Sequence, residues 1–201
     1  MRGSVSLRVS VVVAFAASAF LSGCGSQSVR EVSDQDLQSI TGALSEAQDS
    51  GASEAQLNQL KDALDSGQMS LESARSATRR TVECITSAGA FAEYDEDTVN
   101  GGRVVPGYYW ETSAQVVSDE CERRESYWVN YLYQTQGSSL QADAKYFEQQ
   151  RPILLSCLQD NGLKPDPNGD IYDLLRMAGE LQASGTGTSA NCLEQAKIDS
   201  F

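Results

Sequence analysis

Five cysteines, an acidic run and a crowd of aromatic rings are the residues of this sequence equipped for chemistry; histidine is absent. Without imidazole there is no Ser-His-Asp triad, no Cys-His dyad and no histidine metal ligand. No Ser-x-x-Lys and no phosphate-cradling P-loop occurs, so no catalytic residue, metal or cofactor is assigned and the chain is not expected to be an enzyme. Cys84, Cys121, Cys157 and Cys192 are separated by 37, 36 and 35 residues. Structural zinc sites show close C-x2–4-C pairs, so disulfides are the stronger reading and zinc the rival. Glu93, Asp95, Glu96 and Asp97 are carboxylates of the kind that hold Ca²⁺ or form a glycosidase pair; a solvated loop is the alternative. Asp166-Pro-Asn-Gly-Asp170 starts like a Ca²⁺ loop. Its Gly has the wrong offset and Met177 stands where Glu is needed, so a turn with Asp170 capping a helix is expected.

Seven of the ten Tyr and Trp residues lie within 26 positions: Tyr108, Tyr109, Trp110, Tyr127, Trp128, Tyr131 and Tyr133. Such rings make a stacking platform for a glycan or a hot spot for a protein, unless they are core. Tyr108 and Tyr109 point oppositely on a strand, so not all seven fit inward. The candidate binding patch is Tyr108, Tyr109, Trp110 and Trp128. Trp128 and Tyr131 are also expected to cover a bridge at Cys121.

The elements that must position these groups follow from caps and periodicity. Ser33-Asp-Gln-Asp36 opens a helix with Leu37, Ile40, Leu44 and Ala47 on one face, stopping at Ser50-Gly51. Ser53-Glu-Ala-Gln56 opens a second that ends at Gly67, and Ser70 caps a third leading into Cys84. Val104-Val105 and Tyr108-Tyr109-Trp110 around Asn100-Gly101-Gly102 predict a short hairpin or extended loop, broken at Pro106-Gly107. One helix is predicted from about Thr112 to Gln134. A further helix, capped by Ser138 or Ser139, runs to about Asn161 with a kink or break at Pro152. Asp170 to about Gln182 reads as helical. A Gly/Ser/Thr linker over 183–190 leads to a last short helix around Cys192.

An internal repeat bears on the pairing. Cys84-Ile-Thr-Ser-Ala-Gly89 and Cys157-Leu-Gln-Asp-Asn-Gly162 share C-[IL]-x-x-[AN]-G, with each Gly at a helix end. Two such units predict Cys84–Cys121 and Cys157–Cys192; the nested pairing, Cys84–Cys192 with Cys121–Cys157, is the alternative. The fold class is mostly α: a small helical domain with a minor β-hairpin, two disulfides and an N-terminal helical segment. Strands and helices do not alternate as a Rossmann or barrel fold requires.

The chain has 201 residues and a net charge of −13, from 28 acidic and 15 basic side chains. That balance argues against nucleic acid as a partner. Arg2 and Arg8 precede an apolar run, Val9–Phe20, too short for a permanent span, which needs roughly 20 residues. The run ends at Leu21-Ser22-Gly23-Cys24, which resembles the lipobox of bacterial lipoproteins. The resemblance implies cleavage before Cys24 and acylation of its thiol. Two acyl chains hold a protein on a membrane. The mature chain, with 13 basic and 28 acidic residues, carries −15, so its membrane contact is the lipid rather than a basic face.

Asp65-Ser-Gly67, Met69-Ser70, Glu72 and Ala74, then Cys84 to Gly89, then Cys121, Val129 and Tyr133, together resemble a group of uncharacterised actinobacterial secreted lipoproteins. Only four of the 15 basic residues are Lys, an Arg bias in keeping with a GC-rich genome. The resemblance implies a lipid-anchored, extracytoplasmic, disulfide-bonded helical protein on the outer face of the cell membrane, and implies no substrate. The organisation read here is a signal peptide at 1–23, a lipidated tether at 24–32, an N-terminal helical segment at 33–83 and a stapled domain at 84–201. The stapled domain has units at about 84–134 and 139–197. The expected partner is a protein or glycan at the envelope. A carbohydrate-active hydrolase using paired carboxylates, or a structural envelope component, are the alternatives.

Overall fold

A computed structural model describes residues 33–184 and 191–199. The lipobox, the tether and most of the Gly/Ser/Thr linker lie outside the described residues. Among the described residues no helix is long and apolar enough to cross a membrane.

Three serine-capped helices open the described residues: α1 (Asp34–Asp49), α2 (Glu54–Ser66) and α3 (Leu71–Ser87). The Ser33, Ser53 and Ser70 hydroxyls accept from the N–H groups of Asp36, Gln56 and Ser73, satisfying donors that the first turn leaves without partners. Gly67 ends α2 in the left-handed region, at φ +74°. The inward faces carry Ile40, Ala43, Ala47, Leu60, Ala63, Ala74 and Ala77, all nearly solvent-free. Small residues at these positions let the helices approach closely.

After α3 the chain forms the predicted hairpin. Strands β1 (Ala92–Val99) and β2 (Arg103–Trp110) pair antiparallel, from Ala92 opposite Trp110 to Val99 opposite Arg103. Gly101 turns the chain at φ +80° with the Tyr146 ring directly against its Cα, where a side chain would collide. The hairpin is not broken at Pro106-Gly107, which stand opposite Glu96 and Asp95 within the ladder. In a two-stranded sheet alternate N–H groups face away from the partner strand, and proline is tolerated at such a place.

The single helix expected over 112–134 is two. A short 3-10 turn (Thr112–Ala114) leads into α4 (Gln115–Glu125), and α5 (Tyr127–Thr135) follows a break at Ser126, whose φ is −141°. Gln56 accounts for the break. Its buried amide donates to the carbonyls of Arg123 and Arg124 at 3.1 and 2.7 Å and accepts from Trp128 N–H at 2.8 Å. Thr81 Oγ1 donates to Ser126 Oγ at 2.8 Å in the same buried pocket of polar groups. Backbone groups freed by the break are thereby partnered. Val129 and Leu132 of α5 complete the core begun by α1–α3.

Next come α6 (Gly137–Asp160), α7 (Ile171–Ser184) and α8 (Cys192–Gln195). Neither Ser138 nor Ser139 caps α6. Gly137 N–H donates to the Asp36 carboxylate of α1 at 2.9 Å, and Ser139 Oγ donates back to Tyr133 O at 2.6 Å. Gln136 closes a two-way amide pair with the Met69 backbone, at 2.9 and 3.0 Å. Helix α6 also continues through Pro152 without a break. Pro152 lies on the exposed face, so the carbonyl it leaves without a donor is open to water. Buried Phe147 and Leu154 anchor the helix on either side. These two residues, Leu158, Leu174 and Leu175 form a second core under α7 and α8.

Both disulfides follow the repeat. Cys84–Cys121 joins α3 to α4 and Cys157–Cys192 joins α6 to α8, with Cα separations of 5.7 and 5.6 Å. The nested and zinc readings are thereby excluded.

Candidate functional site

The aromatic segment divides. Strand alternation turns Tyr108 and Trp110 inward, their rings 5.3 Å apart, against Ile85, Ala92 and Cys121. These two rings, rather than Trp128 and Tyr131, lie beside the first disulfide. Tyr109 faces outward and meets Phe91 at 6.3 Å. On α5 the Trp128 ring meets Tyr127 edge to face at 4.9 Å and Tyr131 at 6.1 Å. Tyr133 is buried and donates to Val104 O at 2.8 Å, tying α5 to the hairpin. Ring contacts thus join Trp128 to α5 neighbours, Trp110 to Tyr108, and Tyr109 to Phe91.

The acidic run divides by the same alternation. Glu93, Asp95 and Asp97 are exposed, while Glu96 faces α3. Arg75 grips Glu96 with two N–H donors at 2.8 and 3.0 Å, and the Tyr94 hydroxyl donates to the same carboxylate. These bonds, Arg75 first, hold the Glu96 carboxyl down at about 2. The run is therefore a hairpin surface plus one structural anchor. In the 166–170 loop, Asp166 Oδ1 accepts from Asn168 N–H and Asp170 Oδ1 from Tyr172 N–H, both at 2.9 Å. Asp170 caps α7, as expected. Arg151 occupies the Gly169 carbonyl at 2.8 Å. Among the described residues no group of three or more Cys, Asp or Glu side chains is placed to hold a metal ion.

A groove of about 350 Å³ opens where the end of α1 meets α4 and α5. Ser50, Asp119, Glu122, Arg123, Tyr127 and Trp128 line it, and its walls are largely apolar. Its size is that of a small-ligand or side-chain pocket. Each wall has a local cause. Ser50 caps the C-terminus of α1, and Arg123 Nη1 donates to the Ser50 carbonyl. Trp128 Nε1 donates to Ser50 Oγ at 3.2 Å, which fixes the indole plane across the groove. The break at Ser126 sets the direction in which Tyr127 and Trp128 project.

Asp119 and Glu122 stand three residues apart on α4 and supply the acid. Glu122 Oε2 accepts from the Tyr108 hydroxyl at 3.3 Å, and that hydroxyl also meets Ser118 Oγ at 3.1 Å. Burial pushes Tyr108 up to about 12 and holds the Glu122 carboxyl above the ordinary glutamate range. Asp119 accepts from Gln115 Nε2 at 2.6 Å. The hairpin thus touches the groove from behind, through Tyr108.

Of the four patch residues, Trp128 lines the groove and Tyr108 supports it through Glu122; Tyr109 and Trp110 stand elsewhere on the hairpin. Sequence reasoning missed Ser50, Asp119, Glu122, Arg123 and Tyr127 as a group. The available signal was Asp-x-x-Glu one turn apart, followed within six residues by Tyr-Trp. Compared with known protein families, curated proteins and solved structures, the chain shows no match in any of the three, and the groove has to be read from its own chemistry.

Proposed function

We propose that this chain is a lipid-anchored binding module on the outer face of the cell membrane, holding a protein or envelope polymer. The observation that carries the reading is the ring-lined acidic groove between α1, α4 and α5. An indole and a phenol at the mouth of a pocket of this size are the usual anchors of recognition surfaces. Two disulfides fit an oxidising compartment. The lipobox-like Leu21-Ser-Gly-Cys24 supplies the membrane attachment, and no cofactor or nucleic acid enters the reading.

The test is crosslinking in cells from a photoreactive side chain at position 131, beside the groove, followed by capture and mass spectrometry. One dominant partner is expected, lost when Tyr127→Leu is added and retained when Tyr109→Ala is added. Cys24→Ala is expected to move the chain out of the membrane fraction. A partner indifferent to Tyr127→Leu, or no partner at all, would shift the reading to a structural envelope component. Turnover of an envelope glycan by the purified chain would shift it to a hydrolase.

A further inference from the structure

The groove's electrostatics go further than its shape and, resting on the binding-module reading, name the ligand's chemistry. Asp119 and Glu122 are like charges one helical turn apart, an arrangement that costs the helix stability. Neither is ion-paired among the described residues; their partners are the Gln115 amide and the Tyr108 hydroxyl. Burial makes ionising Glu122 harder still, a cost that an arriving cation relieves. Arg123 lines the groove but is tied to the Ser50 carbonyl at the α1 rim. Two carboxylates against one guanidinium leave the lining negative. Tyr127 and Trp128 share the lining, and the faces of Trp and Tyr attract cations while their bodies accept methylenes. A net charge of −13 on the whole chain steers a cation toward it.

We propose that the groove receives a lysine side chain of a partner protein, its methylenes against Trp128 and Tyr127 and its ammonium between Asp119 and Glu122. A neutral sugar would match the rings but leave the paired carboxylates without a counter-charge. An aliphatic side chain would do the same. Charge complementarity is what separates these occupants.

The experiment follows the indole N–H resonance of Trp128 in the full chain purified in detergent, with Trp110→Phe leaving one indole. Three probes are titrated to about 50 mM, enough to fill a site of millimolar Kd. They are Nα-acetyl-lysine methylamide, its norleucine counterpart, which keeps the methylenes and lacks the ammonium, and chitobiose. The lysine probe is expected to give a saturable shift that weakens as salt rises, with norleucine about ten-fold weaker or silent. Asp119→Asn with Glu122→Gln is expected to cost about ten-fold in lysine affinity with a melting temperature no lower than that of the native chain. Equal response to lysine and norleucine, saturation by chitobiose alone, or silence with all three would overturn the proposal. Should the double variant fail to fold, the lysine–norleucine contrast on the native side chains decides by itself. A Tyr127-dependent captured partner with a silent lysine probe would leave the binding module standing and overturn this ligand. A lysine response with no captured partner would do the reverse.

Discussion

The two disulfide-closed units use one local grammar for different surroundings. Their loops are nearly equal, the paired cysteines standing 37 and 35 positions apart. Their helices stop identically. Ala88 N–H returns to Cys84 O and Asn161 N–H to Cys157 O, at 3.1 and 3.2 Å; Ala90 N–H returns to Ile85 O and Leu163 N–H to Leu158 O, at 3.3 and 3.0 Å. Gly89 and Gly162 make both stops possible at φ +86° and +81°, values that disfavour a side chain. Between the cysteines they diverge. The first unit sends out a hairpin, and its bridge is partly exposed, with Arg124 Nη2 at 3.0 Å from Cys84 Sγ. The second sends out α7, and its bridge is sealed among Phe147, Leu158 and Leu174. A helix stop and a staple can thus be reused, while the intervening residues decide whether the bridge is sealed under a helix or left partly open beside a hairpin.

The largest effect that sharpens this comparison is removal of either bridge. Loop entropy depends on loop length, so Cys84→Ala with Cys121→Ala and Cys157→Ala with Cys192→Ala are each expected to cost about 4 kcal/mol in denaturant unfolding. Burial separates them in a second readout. Under graded reductant with mass-spectrometric mapping, Cys84–Cys121 is expected to open first. Equal costs with this order support matched staples in unlike surroundings; simultaneous opening would break the comparison.

Next in size is the polar contact that α2 makes at the α4–α5 break, just beyond the first bridge. Gln56→Leu removes the donor to the Arg123 and Arg124 carbonyls and the acceptor for Trp128 N–H. Loss of buried partners of this kind is expected to cost about 2–3 kcal/mol. The Trp128 emission should shift as α5 loosens. Gln159→Leu, on the exposed face of α6 in the second unit, is expected to stay within about 0.5 kcal/mol. An unchanged unfolding midpoint for Gln56→Leu would mean that the break at Ser126 stands without its amide.

What could be read from the sequence was whatever is encoded locally. The serine caps of α1 to α3, the glycine stops, the Asn100-Gly101-Gly102 turn and the six-residue motif repeated at Cys84 and Cys157 are local and are present, whereas the serine cap expected for α6 is replaced by a contact from α1. Gln56 shows the limit. Its place in Ser53-Glu-Ala-Gln56 marked a helix start, yet its side chain serves a break about 70 residues away. The 112–134 pattern reads as one helix because nothing local interrupts it. Pro152 errs in the other direction: a local breaker is overruled by packing on both sides of it. The groove was illegible for the same reason, since Ser50 and the 119–128 segment meet only after α1, α4 and α5 dock. Seven clustered rings signalled something, but strand alternation and the helix break distribute them among different neighbours.

The smallest expected effect tests how the hairpin is fastened. Glu96 is held at about 2 against an unfolded value of 4.5, chiefly by Arg75 and then by the Tyr94 hydroxyl. A carboxylate with a depressed folded-state value stabilises fully above 4.5 and loses that contribution as pH falls from 4.5 to about 2. Arg75 stays charged throughout, so the loss is of the anion. Hairpin amides of Tyr94–Asp97 should therefore lose hydrogen-exchange protection over this window before the amides of α7 do. The second unit has its own depressed carboxylate, Glu148 beside Arg151, but Arg151 stays charged and keeps its bond to the Gly169 carbonyl before α7 when Glu148 is protonated. The apolar contacts of α7 do not titrate, so its amides should hold. In Glu96→Gln the acid sensitivity of the hairpin should vanish, and its protection at neutral pH should start lower. Equal acid response in the hairpin and α7 would mean that the two units unfold together, and that the hairpin is fastened by Tyr133 and the first disulfide rather than by the Arg75–Glu96 pair.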